Sequence, residues 1–444
     1  MNPKYAVSAF LGRNNFMPGG PDVNAVINTM MYDMEEGLKR DPLNPPGQGP
    51  SLDMIPTWAV PPETSPKNKS VIVIDAGGTN FRSCLVTFDG AGIPSISDMQ
   101  KTAMPGTDRE YTRKEFFDTI ASFLDHLKNK ASRIGFCFSY AMTITPEGDG
   151  KVIQFSKEIK AKEVIGSLVG AGLSEALVAR GWKKPDKIIL LNDTTAALLA
   201  GASSATNGKA YDSYVGFILG TGMNAAYIES GEIAKIVDSG AYAPTYQIVV
   251  CESGKCNKIA QSKFDEALDK TTNSPGLYGY EKMCSGAYLG PLSRLALLKA
   301  AEDGLFSASV SQDLLKLEML ELKDMDQFFK APYRTDTKLG TIAAKGNEAD
   351  REILFRILDA FVERSARLAA ANIAVVILKS GKGTNPVRPV SVLCEGTTFL
   401  LTHNLRERVI GYLNIVLTEN RGIWYEIVTM EHAVTLGSAV AGLI

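Results

Sequence analysis

Short apolar runs that end in Asp, Asn or Gly alternate along the chain with longer stretches whose apolar residues recur every three or four positions. The run VIVID (71–75) enters the turn AGGTN, and FRSCLVTF (81–88) follows it with Cys84, Val86 and Phe88 on one face, which predicts two strands joined by a hairpin. A helix is predicted over VNAVINTMMYDMEEGLKR, where Val26, Ile27, Met30, Met31 and Met34 keep helical spacing. Residues 40–70, crowded with Pro, Gly, Ser and Asn, read as an extended connector between that helix and the first strand. A further helix is predicted near 114–128 and a strand over 134–139. The theme then returns: IILLND (188–193) enters an Ala-rich helix, and 214–230 is again strand, glycine turn, strand. Two such units predict an internally duplicated architecture. The final third is more helical (281–303, 351–379, 431–444), interrupted by a strand at 388–396, and the alternation as a whole predicts the α/β class.

At 444 residues the chain is long enough for two domains, on a prior of about one per 150 residues. Apolar residues make up 45% and charged residues 22%, and the net charge of -2 offers no footprint for nucleic acid or a membrane surface. The first fifteen residues lack the apolar run of a signal peptide, and LAAANIAVVIL (368–378) falls short of the roughly 20 residues that span a bilayer, so a cytoplasmic protein is expected. Cys84, Cys137, Cys251, Cys256, Cys284 and Cys394 are scattered and read as reduced packing residues. The close pair Cys251 and Cys256 has no nearby third or fourth zinc ligand.

Gly77 and Gly78 permit a close approach by an anion to backbone N–H groups, and phosphate is the obvious guest. In the Walker loop and the dinucleotide fingerprint the glycine turn feeds a helix, whereas here a strand follows, so neither fold fits. A second turn, LGTGMN (219–224), could clamp the same polyphosphate from the opposite side; both turns are equally readable as plain hairpins. Asp75, a carboxylate at the end of an apolar strand, suits Mg²⁺ with its water shell. Asn192 and Asp193 end another apolar strand just before a helix. Asp193 there is either a helix N-cap or a general base that accepts a proton from a hydroxyl attacking a γ-phosphate.

These stretches resemble, in one order and over nearly the whole chain, the hexokinase family of ATP-dependent sugar kinases. MYDMEEGLKR and MIPTWAVPPE are similar to its lead-in helix and Leu-Pro-Thr segment, and DAGGTNFR to its first phosphate motif. IGFCFSYAMTIT and QFSKEIKA resemble its sugar loops, LLNDTTAAL its catalytic strand, and GTGMNAAYIE its second phosphate motif. CESG, SPGLYGYEKMCSGAYLGPLSRLALL and VSVLCEGTTF resemble its Glu-x-Gly, Glu-Lys helix and adenosine motifs. One copy of each motif matches a single-unit, bacterial-type form.

The resemblance implies an actin-like ATPase (ribonuclease H-like) fold, with two unequal α/β domains around a cleft. Residues 65–191 plus 432–444 would form the small domain, and 1–64 plus 192–431 the large one. It implies ATP and Mg²⁺ as cofactors and a hexose, glucose first, as substrate. Ser139, Ser156, Lys157, Asn192, Asp193, Asn224, Glu252 and Glu281 would surround the sugar, with amides and carboxylates suited to vicinal hydroxyls. Taken singly, Lys157 also reads as a solvated charge, Glu281 as a first-turn helix acid and Asn224 as a turn former. Asp193 would be the base, and Lys157 and Arg82 would neutralise charge on the transferred phosphoryl. Asp75 would position Mg²⁺ through water, while Gly77, Gly78, Thr79, Asn80, Gly220, Thr221, Gly222, Gly396 and Thr397 would hold the nucleotide. The chain departs from the family at Ser139-Tyr140-Ala141, Phe155-Ser156-Lys157-Glu158, Ser253 and Glu395. The alternatives are an actin-like ATPase that ignores sugars, and a sugar-sensing homologue without kinase activity.

Overall fold

The computed structural model describes residues 2–17, 19–42, 49–155, 159–204, 208–237 and 244–444. Its strands, in chain order, are β1 (Ile55–Pro56), β2 (Lys69–Gly77), β3 (Asn80–Phe88), β4 (Pro94–Ala103), β5 (Arg133–Phe138), β6 (Ala141–Ile144), β7 (Gly150–Gln154), β8 (Lys187–Leu191), β9 (Ser213–Leu219), β10 (Met223–Glu229), β11 (Gln247–Val250), β12 (Val390–Glu395) and β13 (Tyr425–Val428). They form one sheet of order β4-β3-β2-β5-β8, a second of order β1-β11-β10-β9-β12-β13, and the small ribbon β6-β7. In each large sheet an antiparallel three-strand meander continues into two parallel strands. With β1 set aside, the strand order is the same in both, so the duplication expected from two strand-glycine-strand units is present at the level of the whole sheet.

The apolar runs bury their side chains because parallel strands are covered on both faces. Val71 to Ile74 are all at most 1% exposed, and Val71 and Val73 join a core with Ile189 and Leu191 on one side and Ala439 to Ala441 and Leu443 on the other. Those last residues belong to the helix Ala433–Leu443, which packs on β2, β5 and the helix Asp193–Ser203. The approach is close: a Cβ on Gly442 would stand 2.7 Å from the Gly135 amide nitrogen of β5. The opposite face of the first sheet packs on Arg113–Phe123 and Val169–Ala179. The second sheet is backed by the 33-residue helix Glu348–Ser380, on which Val23–Lys39 packs.

Several expectations are refined. The helix over 23–40 forms as Val23–Lys39, with Val26, Ile27, Met30 and Met34 buried. The connector contributes β1 and is pinned at Ser51, whose backbone N–H donates to buried Asp33 at 3.0 Å; its residues 43–48 lie outside the described set. The helix expected over 281–303 divides into Gly279–Cys284 and Gly286–Glu302, because Ser285 is extended and Gly286 N–H donates to Gly220 O at 2.8 Å. The helix near 114–128 ends at Phe123 and continues as a single tighter turn, Asp125–Leu127.

Candidate active site

A cavity of about 670 Å³ opens where the two large sheets face each other. Its lining brings together Ser139 after β5, Asn192 and Asp193 after β8, Asn224 in β10, Glu252 after β11 and Glu281 from the helix Gly279–Cys284, along with Thr221 and Gly222. Ser156 and Lys157, with the departing Glu158, lie outside the described residues. Asp75, Gly77, Gly78, Thr79, Asn80, Arg82, Gly220, Gly396 and Thr397 do not line the cavity itself; most of them belong to two turns beside it.

The division of labour between Asn192 and Asp193 follows from the start of their helix. Asn192 is the N-cap: its Oδ1 accepts from Thr195 N–H at 2.9 Å and from the Thr194 hydroxyl at 3.1 Å. Asp193 therefore need not cap. Its Oδ1 accepts from Thr194 N–H at 2.8 Å, and Oδ2 has no hydrogen-bond partner among the described residues. Burial pushes its carboxyl up to about 6 against the pull of that backbone donor, with Asp75 and Glu395 adding to the rise.

Asn224 lies in β10, not in the turn before it. Its Oδ1 accepts from Ala225 N–H at 2.8 Å and Ser253 N–H at 3.2 Å, and its Nδ2 donates to Glu252 Oε1 at 2.9 Å. Glu252 adopts left-handed backbone at φ 55, a conformation that costs a non-glycine residue on the order of 1 kcal/mol or more and concentrates at functional sites. Glu281 is a first-turn helix acid and also reaches across to accept from Met223 N–H at 3.0 Å. Burial pushes both Glu252 and Glu281 up to about 7.

The two glycine turns share a pattern of backbone polarity. In the first, the register pairs Gly77 with Asn80, leaving Gly78 and Thr79 at the tip. Both tip carbonyls are held from within, Gly78 O by the Tyr140 hydroxyl at 2.6 Å and Thr79 O by Met104 N–H at 2.9 Å. In the second, Gly220 O accepts from Gly286 N–H and the Thr398 hydroxyl, both at 2.8 Å, and Thr221 O accepts from Ala287 N–H at 3.3 Å. The N–H groups of Gly78, Thr79, Thr221 and Gly222 donate to no described residue. Carbonyls tied back and amides left open make an anion-facing surface. Gly77 abuts the cavity, since a Cβ there would stand 3.3 Å from Ser139 Oγ, and Gly220 lies against Gly396, whose Cα would be 3.6 Å from a Cβ on Gly220. Thr397 begins the next short helix and is exposed.

Asp75 and Arg82 face each other across the β2–β3 ladder, with Nη1 to Oδ2 at 3.0 Å. Burial raises the Asp75 carboxyl, partly offset by Arg82. No group of three or more His, Cys, Asp or Glu poised for a metal occurs among the described residues. This donor set suits Mg²⁺ arriving with phosphate and water ligands of its own rather than an all-protein cage. Residues that the sequence did not single out also line the cavity, among them Asp53, Asn273, Ser274 and Tyr278. Tyr278 shares the left-handed backbone of Glu252, at φ 57, but a positive φ at Tyr leaves no mark in a sequence. Asp53 is bound to Lys255 at 2.5 Å, a contact between segments about 200 positions apart that no local pattern reveals.

Two hexokinase family models match the chain, one over residues 13–203 and the other over 214–444. The chain belongs to the hexokinase family. It is 30% identical over 388 residues to Hexokinase-5 of Oryza sativa subsp. japonica, covering 82% of this chain and 74% of that one. It is 28% identical over 439 residues to Hexokinase-1 of Schizosaccharomyces pombe, covering 94% and 86%. A solved hexokinase from Schistosoma mansoni, complexed with glucose, superposes with a TM-score of 0.78 over 100% of both chains at 23% identity. The fold is thus the actin-like ATPase fold of hexokinases, and the family's activity is ATP-dependent sugar phosphorylation. Among the described residues no helix is long and apolar enough to cross a membrane.

Proposed function

We propose that this hexokinase-family chain transfers the γ-phosphoryl of MgATP to the 6-hydroxyl of glucose and related hexoses, with Asp193 as general base. Ser139, Asn192, Asn224, Glu252 and Glu281, with Ser156 and Lys157, bind the sugar. The observation that carries this reading is that one cavity is lined by Asp193, Asn224, Glu252 and Glu281, contributed by four separate elements, and is flanked by two turns with open amides. A hexose presents a ring of hydroxyls to be oriented, and amides and ionised carboxylates are the groups that do so.

Asp193, titrating near 6, is ionised at neutral pH and keeps Oδ2 without a described partner. It takes the proton of the 6-hydroxyl as that oxygen bonds to the γ-phosphorus; the bond from the γ-phosphorus to the β,γ-bridging oxygen breaks and ADP leaves. The open amides at 78–79 and 221–222 hold phosphate oxygens, and Gly396 and Thr397 border the nucleotide beside the second turn. Asp75 would hold Mg²⁺ through water, and the ion, when bound, supplies charge neutralisation on the phosphates. Arg82 uses one guanidinium nitrogen on Asp75 and retains others for the phosphoryl group. The division into a small unit (65–191 plus 432–444) and a large unit (the rest), closing on sugar, belongs to the same proposal, since excluding water protects the phosphoryl from hydrolysis. A cytoplasmic location is likewise proposed.

The test is a panel of hexoses in an ADP-coupled assay on the parent and on Asp193→Ala, with glucose binding followed calorimetrically. Turnover should fall by orders of magnitude while glucose still binds. Sugar-independent ATP hydrolysis in the parent would favour a plain ATPase, and glucose binding without turnover would favour a sensor.

A further inference from the structure

The departure at position 140 gives a tyrosine whose ring lies in the sugar-cavity wall and whose hydroxyl lies on the first phosphate turn. The ring is 7% exposed and fixed among aromatics, with centroids 4.8 Å from Phe138 and 5.2 Å from Phe155. The hydroxyl donates to Gly78 O at 2.6 Å. We infer that Tyr140 is a positioning residue for phosphoryl transfer: its hydroxyl locks the Gly78–Thr79 peptide plane so that the Thr79 N–H faces the nucleotide phosphate.

In a trans peptide the C=O and N–H point in opposite directions, so fixing the carbonyl fixes the donor. On the Gly78 side of this plane little resists a flip; on the other side a flip would carry β-branched Thr79 from negative to positive φ, so the Tyr140 hydroxyl adds to a preference the turn already has. Gly78 lies at φ 58, where glycine moves freely, and a Cβ built on it would meet no atom within 4 Å. A flipped plane would put a carbonyl oxygen where an N–H is needed and repel phosphate. The next carbonyl, Thr79 O, is held by a backbone amide, Met104 N–H at 2.9 Å, so Tyr140 is the side chain that holds a tip carbonyl. A phenylalanine would pack equally well and remove that restraint.

This inference rests on the proposed phosphate role of the turn, and the experiment separates the two. Tyr140→Phe keeps the ring and removes only the hydroxyl. Binding of a non-hydrolysable MgATP analogue at saturating glucose and binding of glucose alone are measured by calorimetry, and millisecond hydrogen–deuterium exchange is followed over residues 76–81 with and without the analogue. In the parent the analogue should protect that segment. In the variant the analogue's Kd should rise about 3- to 10-fold, the loss expected for one neutral hydrogen bond, with weaker protection and a glucose Kd within about twofold of the parent. Protection in the parent together with an unchanged analogue Kd in the variant overturns the lock and leaves the phosphate reading standing. No protection in the parent removes the phosphate reading and the lock with it. A glucose Kd that weakens while the analogue's does not would make Tyr140 a sugar-wall residue and also overturn the inference.

Discussion

Replacing Asp193 by Asn should make the sugar-free protein more stable at neutral pH while abolishing turnover. Burial raises this carboxyl from its ordinary 3.8 to about 6, so the folded state prefers the neutral acid. That rise corresponds to roughly 3 kcal/mol, because each pH unit is worth about 1.36 kcal/mol. Between these two pKa values the folded chain binds more protons than the unfolded one, so stability falls as pH rises through that window. Integrated, the cost of the charge is about 1 kcal/mol at pH 4.5 and nearly the full ~3 kcal/mol at pH 7.5. Asn carries the shape and the acceptor for Thr194 N–H without the charge. Thermal denaturation of parent and Asp193→Asn, without sugar or nucleotide, should therefore show the variant melting about 3–6 °C higher at pH 7.5, with the gap shrinking by more than half at pH 4.5. Equal or lower melting at pH 7.5, or a gap independent of pH, would refute the burial cost assigned to the Asp193 carboxylate.

Further outcomes follow from the same geometry. Turnover should decline below pH 6 as Asp193 protonates, and the KM for glucose should already rise below pH 7, where Glu252 and Glu281 gain protons and cease to be full acceptors; a pH series of kcat and KM separates the two. Gly222→Ala would place a Cβ 2.5 Å from Glu281 Oε2, so glucose affinity should drop by about tenfold or more with an unchanged circular dichroism spectrum. Arg364 is bound on both arms to buried Asp265, at 2.7 and 2.8 Å. Arg364→Met should cost about 3–5 kcal/mol in denaturant titration, and the double variant Arg364→Met, Asp265→Asn should recover part of it, because Asn removes the unpaired charge and keeps an acceptor for the buried Ser262 N–H.

What the sequence discloses is uneven for physical reasons. The hairpins at 71–88 and 214–230 announce themselves because strand alternation and glycine turns are local. The outer strands of the two sheets do not: β4 is an exposed edge rich in polar residues, and β11 and β13 are four residues each, too short for a period to register. The split at Ser285 is imposed by Gly220, far earlier in the chain, against a continuous helical pattern. At the candidate site the residue types were legible, but the capping role fell to Asn192 and left Asp193 available, which only the backbone geometry decides. The conversion of Asn224 from turn former to strand residue has the same origin, because turn and strand differ there by two positions.

The helix Ala433–Leu443 has a consequence for biosynthesis. It covers β2 and β5, whose strands end near residues 77 and 138, and it completes the core around Val71, Val73 and Leu191. At about 5–20 residues per second, roughly 250 residues of translation separate the last strand of the first sheet from this helix, an interval of about 13–50 s. During that time the face of the first sheet that this helix covers has only the helix Asp193–Ser203 to pack against. Truncations that remove the final helix should therefore aggregate through residues 71–74, more than 350 positions upstream of the deletion.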